Sequence, residues 1–144
     1  MDFVLDNSVA MRWLLRDGHP ANQRYAEQVL SSLITQVAAV PSLWWLELAN
    51  VIAKSERKGL VQQADSEQFL RLLAAQAIQE CPLPGALLLD KTMALARQHG
   101  LSSYDAAYLV LAMQLQLPLA ALDAALQQAA LKMGVPLYLT PAAV

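Results

Sequence analysis

The chain has 144 residues, 56% of them hydrophobic and 15% charged, with a net charge of −2. That length suits one domain over residues 1–144 with a sizeable core, and the apolar excess calls for either deep burial or apolar surface offered to a partner. The mild negative charge argues against a large phosphate-gripping surface, and the single cysteine, Cys81, excludes a disulfide framework or a thiolate metal cluster and reads as a small buried apolar residue.

In chain order, "FVLD" at Phe3–Asp6 predicts a short apolar strand. Ser8 is positioned to cap a helix to about Leu15, which "RDGHP" breaks. A helix is expected from Ala21 to Leu33, then a small buried strand in "QVAAVP". Ser42 opens a long helix, "LWWLELANVIAKSERKG", stopped by Gly59. "QADSEQFLRLLAAQAI" has helical spacing, with Asp65 or Ser66 at its start, and "CPLPG" suits a short strand or a connector. "ALLLDKTMALARQHG" and "SSYDAAYLVLAMQLQ" predict helices, "LPLAALD" a strand, "DAALQQAALKMG" a helix and "VPLYL" a last short strand. Strands separated by helices, each strand a continuous apolar run, imply an α/β protein with a mostly parallel sheet covered on both faces.

The N-terminus carries Asp2 and Asp6 where a signal peptide has basic residues. The longest nearly uncharged stretch, Leu101–Leu122, is interrupted by Asp105, Gln114, Gln116 and Pro118, so it does not read as a membrane span. A cytoplasmic protein with no membrane partner is the expectation.

Four of the twelve acidic residues stand apart. Asp6 closes "FVLD", and Glu47, Asp105 and Asp123 are each the one charge in "LWWLELANVIA", "YDAAYLVLAMQLQ" and "LPLAALDAAL". Burying an unpaired carboxylate costs several kcal/mol or raises its pKa. No local Lys or Arg accompanies them, so a hard divalent cation, magnesium or manganese, is the economical partner. Each acid also has a purely structural reading. Asp6 can end its strand with Asn7 and Ser8 making turn and cap bonds, and Ser102 with Asp105 fits a capping box. Asp123 can cap the last helix, and Glu47 can be a partly exposed helix position paired with a distant Arg. In parallel α/β sheets the strand C-terminal ends share one edge, where ligands bind, and Asp6 and Asp123 both belong there.

"VLDNSVAMRWLL", "ELANVI", "LSSYDAAYLVLA" and "LPLAALDAAL", in this order and spacing, resemble the PIN domain, and within it the VapC-type ribonuclease toxins of bacteria and archaea. The resemblance spans essentially the whole chain. It implies a three-layer α/β/α sandwich around a central parallel sheet of four or five strands. It implies that Asp6, Glu47, Asp105 and Asp123 form one acidic cluster holding magnesium or manganese, with Ser8, and more weakly Asn7, supporting the metal or its water. It further implies an endoribonuclease acting on RNA, a homodimer, and an antitoxin partner whose peptide inserts near the active site. Many members carry another acid soon after the fourth. Gln127 and Gln128 stand there instead, which implies a weakly held second metal.

On this reading the metal lowers the pKa of its water and neutralises the transition state, with Asp6 and Asp105 as direct ligands and Glu47 and Asp123 as ligands or water-orienting groups. Arg12 and Arg16, and Lys54, Arg57 and Lys58, are candidates for RNA backbone contacts or simply solvated helix residues. Trp44 and Trp45 are adjacent and point about 100° apart. They suit either the edges of one wide apolar face or a split, with one ring facing a seam or partner. Trp13 lies on the first helix, and His19 and His99 read as loop and helix-end residues. An aspartate-nucleophile phosphatase is disfavoured because Ser8 stands where that chemistry places its second Asp. The non-enzymatic alternative is an α/β protein-interaction module whose acids are only caps.

Overall fold

The computed structural model describes residues 1–139. Its sheet is made by Phe3–Leu5 (β1), Ala38–Val40 (β2), Ile78–Glu80 (β3) and Leu119–Ala120 (β4). All residues of β1, β2 and β4 are buried, as strands covered on both faces must be. The strand order is β3-β2-β1-β4 and every pairing is parallel, with Phe3 opposite Ala38, Val4 opposite Leu119 and Ala38 opposite Ile78. All four C-terminal ends therefore face one edge.

Helices fill each connection. Asn7–Ala10 (α1) runs into a 3-10 turn at Met11–Trp13, and Pro20–Ser32 (α2) follows. Leu43–Arg57 (α3) and Gln63–Ala74 (α4) join β2 to β3, Gly85–His99 (α5) and Ser103–Leu115 (α6) join β3 to β4, and Ala124–Lys132 (α7) follows β4. Right-handed crossovers put α1 to α4 on one face and α5 to α7 on the other, giving three layers. α1 packs on α2 and α3, while α6 packs on α5, α7, β1 and β4. Every residue of α6 from Ala106 to Ala112 is buried, which is why that helix is apolar all round. Gly59 (φ 72°) and Gly100 (φ 67°) take left-handed backbone just past α3 and α5, where other residues are strained.

The adjacent tryptophans split. Trp44 is fully buried and Trp45 is 41% exposed, their rings edge to face with centroids 4.7 Å apart. α3 can bury only one of two neighbours on its core-facing line.

Three elements differ from the sequence expectation. The helix read to Ile78 stops at Ala74, and Ile78–Glu80 becomes β3. As a half-exposed edge strand it needs no apolar run, so "IQE" carries no strand signal, and "CPLPG" is a connector. "VPLYL" forms one bridge, Leu137 to Leu119, rather than a strand. Pro136 accepts from the Leu119 N–H but has no N–H to return, which limits the pairing. The first helix breaks into α1 and a 3-10 turn, and its cap is Asp6 rather than Ser8. No helix among the described residues is long and apolar enough to cross a membrane.

Candidate active site

Asp6 continues the sheet for one more bond, its N–H donating to the Ala120 carbonyl at 2.9 Å. The chain then turns into α1, and the Asp6 carboxylate caps that helix. Its Oδ2 accepts from the Ser8 N–H at 3.4 Å and the Ser8 hydroxyl at 2.5 Å. Ser8 Oγ in turn accepts from the Leu122 N–H at 3.0 Å, which ties the exit of β4 to the end of β1. Asp6 is only 4% exposed. Burial pushes its carboxyl up to about 7; the Ser8 hydroxyl pulls it back, and the charges of Asp105 and Glu47 add to the rise.

Glu47 lies in the second turn of α3, half-buried, too deep for a cap. Its Oε1 accepts a hydrogen bond from the Tyr108 hydroxyl. Burial raises its pKa, the Tyr108 bond lowers it, and Asp105 raises it again. Asp105 sits in the first turn of α6, where its N–H donates to the Ser102 hydroxyl at 3.1 Å, the cap bond expected of that pair. Its pKa is raised by burial and then by the Asp123 charge, against a hydrogen bond with Ser102 that lowers it. Asp123 is exposed and caps α7, with Oδ2 accepting from the Leu126 N–H at 2.9 Å. Thus Asp6, Asp105 and Asp123 stand at helix starts beside strand C-terminal ends, and Glu47 approaches from α3.

The four acids act on one another in a chain. Asp6 feels Asp105 and Glu47, Glu47 feels Asp105, and Asp105 feels Asp123. Among the described residues no Lys or Arg offsets them. Among the described residues the ion pairs are Arg12–Asp17 at 3.1 Å and Arg16–Glu27 at 3.6 Å, so both early arginines are engaged by other acids. Lys54, Arg57 and Lys58 are exposed at the far end of α3, about 10 to 16 Å along the axis from Glu47 at 1.5 Å per residue. The donor set therefore fits a hard divalent cation in kind: clustered carboxylate oxygens, partly buried, with no counter-charge. As placed, no three His, Cys, Asp or Glu side chains among the described residues stand close enough to hold one ion together. Asp6, Glu47 and Asp123 each give one oxygen to a protein donor and keep the other for a ligand. A shared ion requires side-chain rotation.

Sequence reading passes over one residue of this site, Tyr108. It is fully buried, three positions beyond Asp105 on the same side of α6. The signal was a hydroxyl-bearing ring in an otherwise apolar run, but it does not point to Glu47 without the fold.

A three-layer parallel α/β fold with carboxylates at its C-terminal strand edge defines a class of small α/β proteins with an acidic edge. Within that class, the PIN domain family model matches residues 3–132, and the chain belongs to the PIN domain family. Among curated proteins no significant sequence match is found. Solved structures share the fold at low identity. The Pyrobaculum aerophilum protein PAE2754 is 22% identical with a TM-score of 0.65, over 90% of this chain and 84% of that one. The Rickettsia felis VapBC2 structure, solved with a DNA fragment from its promoter, is 12% identical with a TM-score of 0.65, over 96% and 98%. FitAcB from Neisseria gonorrhoeae is 22% identical with a TM-score of 0.60, over 94% and 96%.

Proposed function

We propose that this chain is a metal-dependent endoribonuclease that hydrolyses RNA phosphodiester bonds, using magnesium or manganese held by Asp6, Glu47, Asp105 and Asp123. The observation that carries the reading is the run of mutually repelling carboxylates with no neighbouring cation, in a PIN-domain chain. A bound divalent ion supplies charge neutralisation and a more acidic water. The chain's own residues do the rest. Asp6 and Asp105 are the direct ligands. Glu47 and Asp123 ligate or orient water, and Ser8 fixes Asp6 while joining it to the β4 exit.

The same reading makes the chain the toxin of a toxin–antitoxin pair, a homodimer neutralised by an antitoxin protein. Two supports are independent of the site. VapBC-type assemblies share the fold. An apolar groove lined by Trp45, Leu48, Ile52, Leu70 and Leu73 opens between α3 and α4, beside an exposed Leu46. Candidates for contacts to the RNA backbone are Lys54, Arg57 and Lys58 at the exposed α3 end, and Arg12 and Arg16, whose surface ion pairs with Asp17 and Glu27 are weak enough to exchange for phosphate.

One observation favours the alternative, a non-catalytic interaction module: Asp6 and Asp123 are both working helix caps, and no three acids yet stand in ligating range. Incubating total cellular RNA with the protein, in manganese or in EDTA, separates the two. The nuclease reading expects cleavage that chelation abolishes. RNA left intact in both conditions, with no heat of manganese binding, leaves the interaction module.

A further inference from the structure

The Tyr108 hydroxyl ties α6 to α3 at the acidic edge, close to the start of α1. Tyr108 lies on α6, a turn beyond Asp105, with its ring fully buried. Its hydroxyl donates to Glu47 Oε1 on α3. The backbone N–H of Asn7, the residue after Asp6, bears on the same hydroxyl. A phenylalanine fills nearly the same volume in this apolar helix. The hydroxyl is thus the part of the residue that packing does not demand, and it lands on an acid rather than on a backbone carbonyl.

Among the described residues no other side chain holds Glu47; its neighbours Leu46 and Trp45 are exposed. A half-buried glutamate on a helix surface has three rotatable bonds. Without an anchor it samples several rotamers, and few of them bring its carboxylate toward Asp6 and Asp105. The Tyr108 hydroxyl removes that freedom while leaving Oε2 for another ligand. The α6 helix then sets two acids at once: Asp105 directly and Glu47 through Tyr108.

We infer that Tyr108 is a positioning residue for the proposed metal site, holding Glu47 by Oε1 so that Oε2 stays available while the aspartate side chains rotate toward a shared ion; this rests on the nuclease reading above. Hydrogen-bond partners of ligating carboxylates tune affinity, and removing one typically lowers metal affinity or activity by about 10- to 100-fold.

The test is manganese-binding calorimetry on the full chain, wild type beside Tyr108→Phe, Glu47→Gln and the double variant, with folding checked by circular dichroism. Tyr108→Phe is expected to weaken manganese about 10-fold or more, and to add nothing further in the Glu47→Gln background, because residues acting through one another are not additive. A merely structural hydroxyl lowers the melting temperature and leaves the affinity of the folded protein unchanged. Manganese binding by Tyr108→Phe within threefold of wild type overturns the positioning role and spares the nuclease reading. Failure of the wild type to bind manganese overturns both. Should Tyr108→Phe not fold, Tyr108→Leu carries the test, since it is a good helix former that fills the apolar site without a hydroxyl and leaves Glu47 itself unchanged. It is expected to lose affinity by a similar factor, and to bind like wild type if the positioning role is wrong.

Discussion

Asp6 carries the largest electrostatic strain on a single acid of the site. Its carboxyl moves from 3.8 in the unfolded chain to about 7 in the folded one, chiefly because burial disfavours the charge. The folded state therefore holds the proton more tightly than the unfolded state. The stability this contributes is complete below about pH 3.8 and disappears as the pH rises through about 7. A shift of that size corresponds to about 4 kcal/mol at 1.36 kcal/mol per pH unit. In EDTA, the wild-type melting temperature should fall between pH 4 and pH 8 by an amount that Asp6→Asn largely removes. The amide oxygen of Asn can still cap α1, so the variant should be more stable than wild type at pH 8 and inactive. Equal pH profiles for the two proteins would contradict the assignment. Ser8→Ala acts in the opposite sense. It removes a bond that lowers the Asp6 pKa and leaves the Leu122 N–H unpaired, at about 1 to 3 kcal/mol, so thermal unfolding should show a less stable protein and manganese titration a weaker site.

At the level of elements, the helix starts do two jobs. Asp123 caps α7 through Oδ2 and also raises Asp105. Asn caps about as well as Asp, whereas Ala loses the cap at about 1 kcal/mol. Asp123→Asn should keep the melting temperature and lose RNA cleavage at least tenfold, and Asp123→Ala should lose both. If the two variants cleave RNA like wild type, Asp123 is only a cap. The elements themselves were legible where burial forced composition. "FVL", "AAV" and "LPLA" are apolar because both faces of the sheet are covered, and the seven-residue buried run of α6 reads just as plainly. β3 was not legible, since Ile78–Glu80 is a half-exposed edge and its backbone pairing leaves no trace in side-chain pattern. "VPLYL" misled for the converse reason: apolar residues pack Val135 and Leu137 against the core, while Pro136 limits the ladder to one bridge.

For the whole molecule, the odd placing of four acids in apolar company was visible before any fold, because a charge in such a segment is costly unless something offsets it. The sequence could not say which acids act on which. Asp6 and Asp105 are far apart in the chain and meet only because α6 crosses behind β1. Nor could it reveal that Tyr108 reaches Glu47 from another layer. A divalent ion that binds the folded protein alone must stabilise it by mass action, about 2.7 kcal/mol at a hundredfold excess over Kd. Magnesium should accordingly raise the melting temperature of the wild type by several degrees at pH 8, and by little near pH 5, where Asp6 holds its proton. An unchanged magnesium shift in Asp6→Asn and Asp105→Asn would mean that the ion binds elsewhere.

On the nuclease reading proposed above, these carboxylates form one metal site that cuts RNA. Cleavage of RNA by chelated protein, measured before and after manganese is added back, tests it most directly when wild type, Asp6→Asn and Asp105→Asn are compared. No cleavage is expected in EDTA, with cleavage restored in wild type and at least a hundredfold weaker in either variant. Cleavage that survives chelation, or that returns equally in all three proteins, would contradict it.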